Sequence, residues 1–236
     1  MLHGVIIDNY DTLESFGLAL LADVEIGSPK PQESRIVIPG RNGTLRLGAT
    51  HYGTPVYGDR TIRFALFRAC IDRKLLAAWR EFATMVHGRQ VSLILPGEPT
   101  FYYYGTMELG SISGYNSGMI PVTMTAEPYK YAVIDSTEQW LWDDFCFDTD
   151  VARAYSELPV DGATEYTIIG SGLPVVPAFV VESDDGLGIT ATVMGESYHL
   201  PDGESDIEGL VLHDGEHTML FEGSGTVSVR FREGVL

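Results

Sequence analysis

A chain of 236 residues, 44% hydrophobic and 11% aromatic, has ample apolar material for a packed core, which argues against intrinsic disorder and fits one large all-β domain or two smaller domains. The 33 acidic and 15 basic side chains give a net charge of −18, all of it in the second half: residues 1–131 carry 12 of each sign, whereas 132–236 carry 3 basic and 21 acidic. Such a surface repels phosphate and anionic headgroups, which argues against nucleic-acid or membrane binding through the second half.

In chain order, short alternating runs at Val5–Ile7, Leu18–Ile26, Ser34–Ile38, Thr61–Phe67, Gln90–Leu95, Tyr102–Leu109 and Met119–Ala126 are separated by Gly, Pro, Asn and Asp, and predict strands. In the run from Arg60 to Arg68, Ile62, Phe64 and Leu66 share one face, suited to a core. A helical period occurs once, between Cys70 and His87, where Ile71, Leu75, Trp79, Phe82 and Val86 form a stripe; Asp72 is the expected N-cap and Gly88 the stop. Pro128 is expected to interrupt the strand ladder, and the charge balance changes just beyond it. The first domain is therefore placed at 1–131 and the second at 132–236.

The second half predicts strands at Glu165–Ile169, Pro177–Glu182, Leu187–Met194, Glu196–Leu200, Leu210–Leu212, His217–Phe221 and Thr226–Arg232, a spacing that reads as a β-sandwich. Asp214-Gly215, flanked by apolar runs, predicts a tight hairpin over Leu210–Leu220.

Cys70 and Cys146 have neither the density of a disulfide scaffold nor the spacing of a metal knuckle and are expected as reduced thiols. No run reaches the roughly 18 apolar residues of a membrane span, and Met1–Tyr10 lacks a basic segment followed by an apolar one, so folding in a cytoplasm is expected.

Chemistry-bearing motifs are sparse. His213-Asp-Gly-Glu-His217 formally fits a zinc-protease pattern, but a hairpin there points the two histidines to opposite faces, away from one shared metal. Asp143-Asp144, Asp148-Thr-Asp150, Asp184-Asp185 and the run Asp202–Glu208 do not match a twelve-residue calcium loop and read as solvated acidic turns. Gly110–Gly118 lacks the lysine and following helix of a phosphate cradle and reads as a hairpin loop. No catalytic residue, metal or cofactor is expected. Trp140 and Trp142, and the run Phe101–Tyr104, present flat faces that could stack on sugar rings, with core burial as the alternative.

Several segments taken together resemble the distal tail protein (Dit) family of long-tailed, siphovirus-like bacteriophages. These are Arg35-Ile-Val-Ile-Pro-Gly-Arg-Asn-Gly-Thr-Leu45, Tyr57-Gly-Asp-Arg-Thr-Ile-Arg-Phe64, the amphipathic helix ending at His87-Gly88, Leu95-Pro-Gly-Glu-Pro99, Tyr102-Tyr-Tyr-Gly105 and Pro128-Tyr-Lys-Tyr131. In the second half, Gly170-Ser-Gly-Leu-Pro-Val-Val-Pro177 and Phe221-Glu-Gly-Ser-Gly-Thr226 add to it. The resemblance implies a mainly β chain, with an N-terminal β-sandwich bearing one helix and a C-terminal galectin-like β-sandwich. It implies a non-enzymatic baseplate protein of the virion, assembled in the host cytoplasm, whose homo-hexameric ring joins the tail tube protein to the tail-tip hub and receptor-binding apparatus while DNA passes through the lumen.

Within that frame, Pro39, Gly40, Arg41, Asn42 and Gly43 form a turn that is a candidate ring or tube contact. The neutral half can pack against copies of itself without like-charge repulsion, and the anionic half suits the periphery. Two other roles compete. One is a carbohydrate-binding module contacting host cell-wall polysaccharide through Trp140 and Trp142; the other is a hydrolase using the acidic clusters.

Overall fold

Period-two patterning becomes strand in both halves of the chain. The computed structural model describes residues 2–21, 23–48, 50–51, 54–68, 73–111, 118–138 and 153–236. The chain divides into two compact units, Met1–Lys130 and Tyr131–Leu236. The architecture is mainly β, with a curled sheet in each unit.

The first unit contains β1 (Ile6–Ile7), β2 (Tyr10–Asp11), α1 (Thr12–Phe16), β3 (Ala19–Leu20), β4 (Glu25–Ile26), β5 (Glu33–Val37), β6 (Thr44–Gly48), β7 (Thr50–His51), β8 (Thr54–Pro55), β9 (Arg60–Phe67), α2 (Arg73–Val86), β10 (Arg89–Ile94), β11 (Phe101–Leu109) and β12 (Met119–Ala132), whose last two residues belong to the second unit. Its main sheet runs β2-β1-β10-β11-β12-β9-β3, with β4 also on β9. The expected core face of β9 is the buried one: Ile62, Phe64 and Leu66 lie opposite Met124, Val122 and Ile120 of β12. Helix α2 closes this core with Phe82 and Val86, both fully buried, while Trp79 is half-buried against it. The chain turns at Gly88 with φ 72°, so the helix stops where expected.

Three expectations for this half are corrected. Pro128 does not interrupt the ladder; β12 runs through it to Ala132. The run Leu18–Ile26 is two short strands, β3 and β4, which pair with different parts of β9. A second helix, α1, accompanies the expected one. Its five residues are too few to show a period, but its caps are strong: the Asp11 carboxylate accepts from the amides of Leu13 and Glu14, and Gly17 closes the end in the left-handed conformation.

The second unit contains β13 (Leu158–Ile169), β14 (Ala178–Ser183), β15 (Ile189–Val193), β16 (Glu196–Leu200), β17 (Gly203–Asp206), β18 (Glu216–Arg230) and β19 (Gly234–Val235). Its sheet runs β16-β15-β18-β14-β17, with β13 on β18. Phe179, Phe221, Met219, Ile168, Val227 and Val229 are at the centre of its core.

The predicted hairpin over Leu210–Leu220 does not form. Leu210, Val211 and Leu212 are all buried, which a half-exposed hairpin strand cannot achieve; Leu212 instead bridges Val175, and Glu216 starts a long ladder with β13. Twelve paired positions with β13 outweigh a two-residue turn. The runs His217–Phe221 and Thr226–Arg232 are one strand, β18, which passes straight through Gly223-Ser-Gly225. Its first part pairs with β15 and its last part with β14. At Gly225, φ is 141° and an added Cβ would meet the Glu182 carbonyl oxygen at 2.2 Å, so glycine is what lets β18 change partners there. The acidic run from Asp202 is likewise not only a turn, since Gly203–Asp206 pairs with β14.

Candidate interaction surfaces

Among the described residues, β5 and β6 pair only with each other, in a two-stranded ribbon apart from the main sheet. The turn Pro39–Gly43 caps it and is exposed throughout, with φ 81° at Gly40, φ 79° at Gly43, and the Arg41 amide donating to the Ile38 carbonyl at 3.1 Å. Just before the turn, three consecutive apolar residues face solvent: Ile36 is 46% exposed, Val37 74% and Ile38 38%. An isolated pair of strands is marginal in water, and the described side chains from Arg35 to Thr44 are all exposed. On β5, Glu33 accepts from Arg35 at 3.1 Å. The sequence carried a signal for this surface in Ile-Val-Ile, where strict alternation breaks.

A second feature sits at one end of the main sheet. Arg60 opens β9, Glu98 lies in the β10–β11 connection, Tyr103 is near the start of β11, and Lys130 is near the end of β12. Four of the sequence segments that carried the family resemblance therefore meet in space. The Tyr103 hydroxyl donates to Glu98 Oε2 at 3.1 Å, and Lys130 Nζ donates to Glu98 Oε1 at 2.7 Å. The Arg60 guanidinium lies over the Tyr103 ring, 5.6 Å from its centroid, and donates to the Pro128 carbonyl. Lys130 also covers the Phe101 ring at 4.8 Å, and Tyr57 meets Tyr129 edge-on at 6.2 Å. Burial, then the charge and hydrogen bond of Glu98, push the Tyr103 phenol up to about 12, partly offset by Arg60. Gly105 completes the motif because a Cβ there would meet the Thr125 carbonyl oxygen at 2.2 Å. The cluster holds the strand ends together. Sequence reasoning picked out its segments but not their convergence.

In the second unit, all three basic side chains are engaged internally. Arg153 pairs with Glu233 at 2.5 Å and donates to the carbonyls of Ile169 at 3.0 Å and Gly170 at 2.7 Å. Arg230 pairs with Glu204, and Arg232 donates to the carbonyls of Ala132 and Val133. The acidic groups of the turns bond to serines: Asp202 accepts from the Ser183 hydroxyl and amide, which holds its carboxyl below the usual range, and Asp184 accepts from Ser224. No cation of this unit remains to offset its surface charge.

His217 Nε2 lies 2.9 Å from the His213 carbonyl oxygen, an ordinary loop contact. Of the aromatic run, Tyr103 is buried and Phe101, Tyr102 and Tyr104 are half-buried. An open groove of about 590 Å³ along the outer side of α2 is lined by Ala77, Arg80, Glu81, Thr84, Met85 and Arg89. Trp140 and Trp142, Cys70 and Cys146, Asp143, Asp144, Asp148 and Asp150, the Ile71 and Asp72 start of the helix, and the centre of the Gly110–Gly118 loop lie outside the described residues; so does the Leu75 side chain.

No protein-family model matches the chain, and no curated protein matches it. Among solved structures, the chain is similar to the Dit protein (gp 19.1) of phage SPP1, described as a paradigm of the hub adsorption apparatus in phages infecting Gram-positive hosts. The match has a TM-score of 0.63, spans 100% of both chains and has 12% sequence identity. The fold is Dit-like. At that identity the likeness lies in the path of the chain through both units, not in its side chains.

Proposed function

We propose that this protein is a structural component of a phage tail tip. Six copies close into a ring that joins the tail tube to the tip hub and its receptor-binding apparatus, and DNA passes through the opening. The observation that carries this reading is the full-length match to a phage hub protein, which follows the chain through both units rather than one common sandwich. The role is structural rather than catalytic.

Two features of the chain support it. The β5–β6 ribbon exposes Ile36, Val37 and Ile38, and a neighbouring copy would cover them. The Pro39–Gly43 turn then sits at a subunit or tube contact. The first half is also neutral, whereas the second carries the whole −18, so ring contacts through the first unit avoid like-charge repulsion and the second unit suits the rim.

Native mass spectrometry and negative-stain microscopy of the full chain test this reading. Annular hexamers are expected, alone or with tube and hub proteins; a strict monomer in the presence of both would overturn it. Val37→Asp should abolish the ring while leaving amide protection of residues 54–138 unchanged, because Val37 is 74% exposed and makes no contribution to the core.

A further inference from the structure

The tip of the β5–β6 ribbon carries a reactive pair. Asn42 is followed by Gly43, both are exposed, and neither the Asn42 carboxamide nor the Gly43 amide has a hydrogen-bond partner among the described residues. Gly43 has no side chain to shield its nitrogen, and a Cβ built there would meet nothing within 4 Å, so the approach to the peptide bond is open from that side. Every residue from Arg35 to Thr44 is exposed, so local opening of the turn is cheap.

We propose that Asn42-Gly43 is a site of spontaneous covalent modification. The Gly43 backbone nitrogen attacks the Asn42 side-chain carbonyl carbon. A new N–C bond forms, the carboxamide nitrogen leaves as ammonia with the proton lost by the Gly43 amide, and a five-membered succinimide remains. Solvent water then opens the ring at either carbonyl, giving aspartate or isoaspartate at position 42. No oxidant or reductant is involved. Either product puts a carboxylate next to Arg41, and the isoaspartyl form reroutes the main chain through Cβ, adding one atom to a turn whose Gly40 and Gly43 already have positive φ.

Asn9 provides an internal control. It is followed by Tyr10, whose side chain crowds the attacking nitrogen and which is paired to Ile7 in the β1–β2 ladder. A ring that seats this turn at a contact would shield the pair, so the incubation is run on the Val37→Asp chain beside the unsubstituted one: conversion in Val37→Asp tests the chemistry, and the difference between the two chains reports on the ring.

The test is to incubate the full chain in mildly alkaline buffer at physiological temperature and to map peptides spanning residues 36–46. The expected result is conversion of the carboxamide to a carboxylate at Asn42, in two chromatographic forms, one of them a substrate for protein isoaspartate methyltransferase, with Asn9 unchanged. Gly43→Ala should slow the conversion roughly tenfold, because a Cβ then crowds the attacking nitrogen. Since that variant also strains a position with φ 79°, a synthetic peptide of residues 36–48, with and without the substitution, is run alongside. If Asn42 stays intact in the folded Val37→Asp chain while the peptide converts, or if Asn9 converts as fast, the proposal is overturned.

Discussion

Among the described residues each unit buries one arginine, and the two are buried very differently. Arg153 is 9% exposed and has a carboxylate, two carbonyls and the Phe231 ring around it. Arg60 is 6% exposed, lies over the Tyr103 ring and donates to the Pro128 carbonyl; its Nε has no partner, and the Glu98 carboxylate of the same cluster accepts from Tyr103 and Lys130. A guanidinium presents five donors in a fixed fork, so full satisfaction needs acceptors on several sides. In the second unit, β13, its following loop and the segment before β19 supply them. In the first unit the arginine is held largely by packing and one bond. Arg153 therefore works as a clasp for its unit, whereas Arg60 mainly fills space and ties down a strand end.

The comparison predicts unequal losses. Arg153→Met leaves Glu233 and two carbonyls without their donor and should cost about 3–5 kcal/mol, read by urea unfolding with hydrogen exchange localised to residues 153–236. Arg60→Met keeps volume but removes the donor to the Pro128 carbonyl and the cation over Tyr103, so about 1–2 kcal/mol is expected, localised to residues 54–130. Equal losses would break the distinction between a clasp and a filler.

The next effect concerns the two crowded glycines. Gly225→Ala pushes a Cβ into the Glu182 carbonyl and also strains φ 141°, whereas Gly105→Ala meets only the crowding of Thr125 and Ala126. Both should destabilise by about 1–3 kcal/mol, with Gly225→Ala the worse. Chemical denaturation of the two variants side by side gives the order; a milder Gly225→Ala would mean that β18 can give way where it changes partners.

How much of this was legible beforehand follows from the range of each interaction. The burial face of β9, the Phe82 and Val86 side of α2 and its stop at Gly88 are set within a few residues, and the sequence pattern conveyed them. The path of β18 depends on β13, roughly 50 residues earlier in the chain, and Asp214-Gly215 gave a local signal that this ladder overrode. Gly223-Ser-Gly225 read as a break because its glycines serve contacts with β14 and β15 that no window contains. The same limit applies to the surfaces: the Pro39–Gly43 turn could be seen, while the solvent exposure of Ile36, Val37 and Ile38 follows only from β5 having no neighbour except β6 among the described residues. The cluster of Arg60, Glu98, Tyr103 and Lys130 was visible as four separate motifs, and only the strand order brings them together.

Alkaline titration sharpens the contrast from the first unit. The Tyr103 phenol is raised from 10.0 to about 12, so the folded state favours the protonated form. The associated stability is fully present below 10.0 and is lost as pH rises toward about 12, where the unfolded chain ionises first. Phenolate absorbance should show a late-titrating fraction, to which Tyr129 and Tyr198 also contribute, that shrinks in Tyr103→Phe, and the variant should lose less stability over that window. An unchanged late fraction would place the perturbed phenol elsewhere.

The smallest expected effect is at the acidic end of the second unit's titration. Asp135 is half-buried, which by itself would raise its pKa. The hydroxyl and amide of Thr137, the charge of Arg232 and the Glu138 amide outweigh that and hold it below 3.8. Because the folded state favours the ionised form, its contribution is complete above 3.8 and is lost as pH falls through the lowered value. Asp135→Asn should flatten that acid limb by less than about 1 kcal/mol, since the group is partly solvated, with no change in the alkaline limb. Hydrogen exchange at Ser136, whose hydroxyl bridges the Val229 carbonyl and the Phe231 amide, is the local readout. If Ser136 protection at low pH is the same in both proteins, Asp135 does not contribute to fastening the start of the second unit to β18, and the Ser136 and Arg232 bonds hold that end without it.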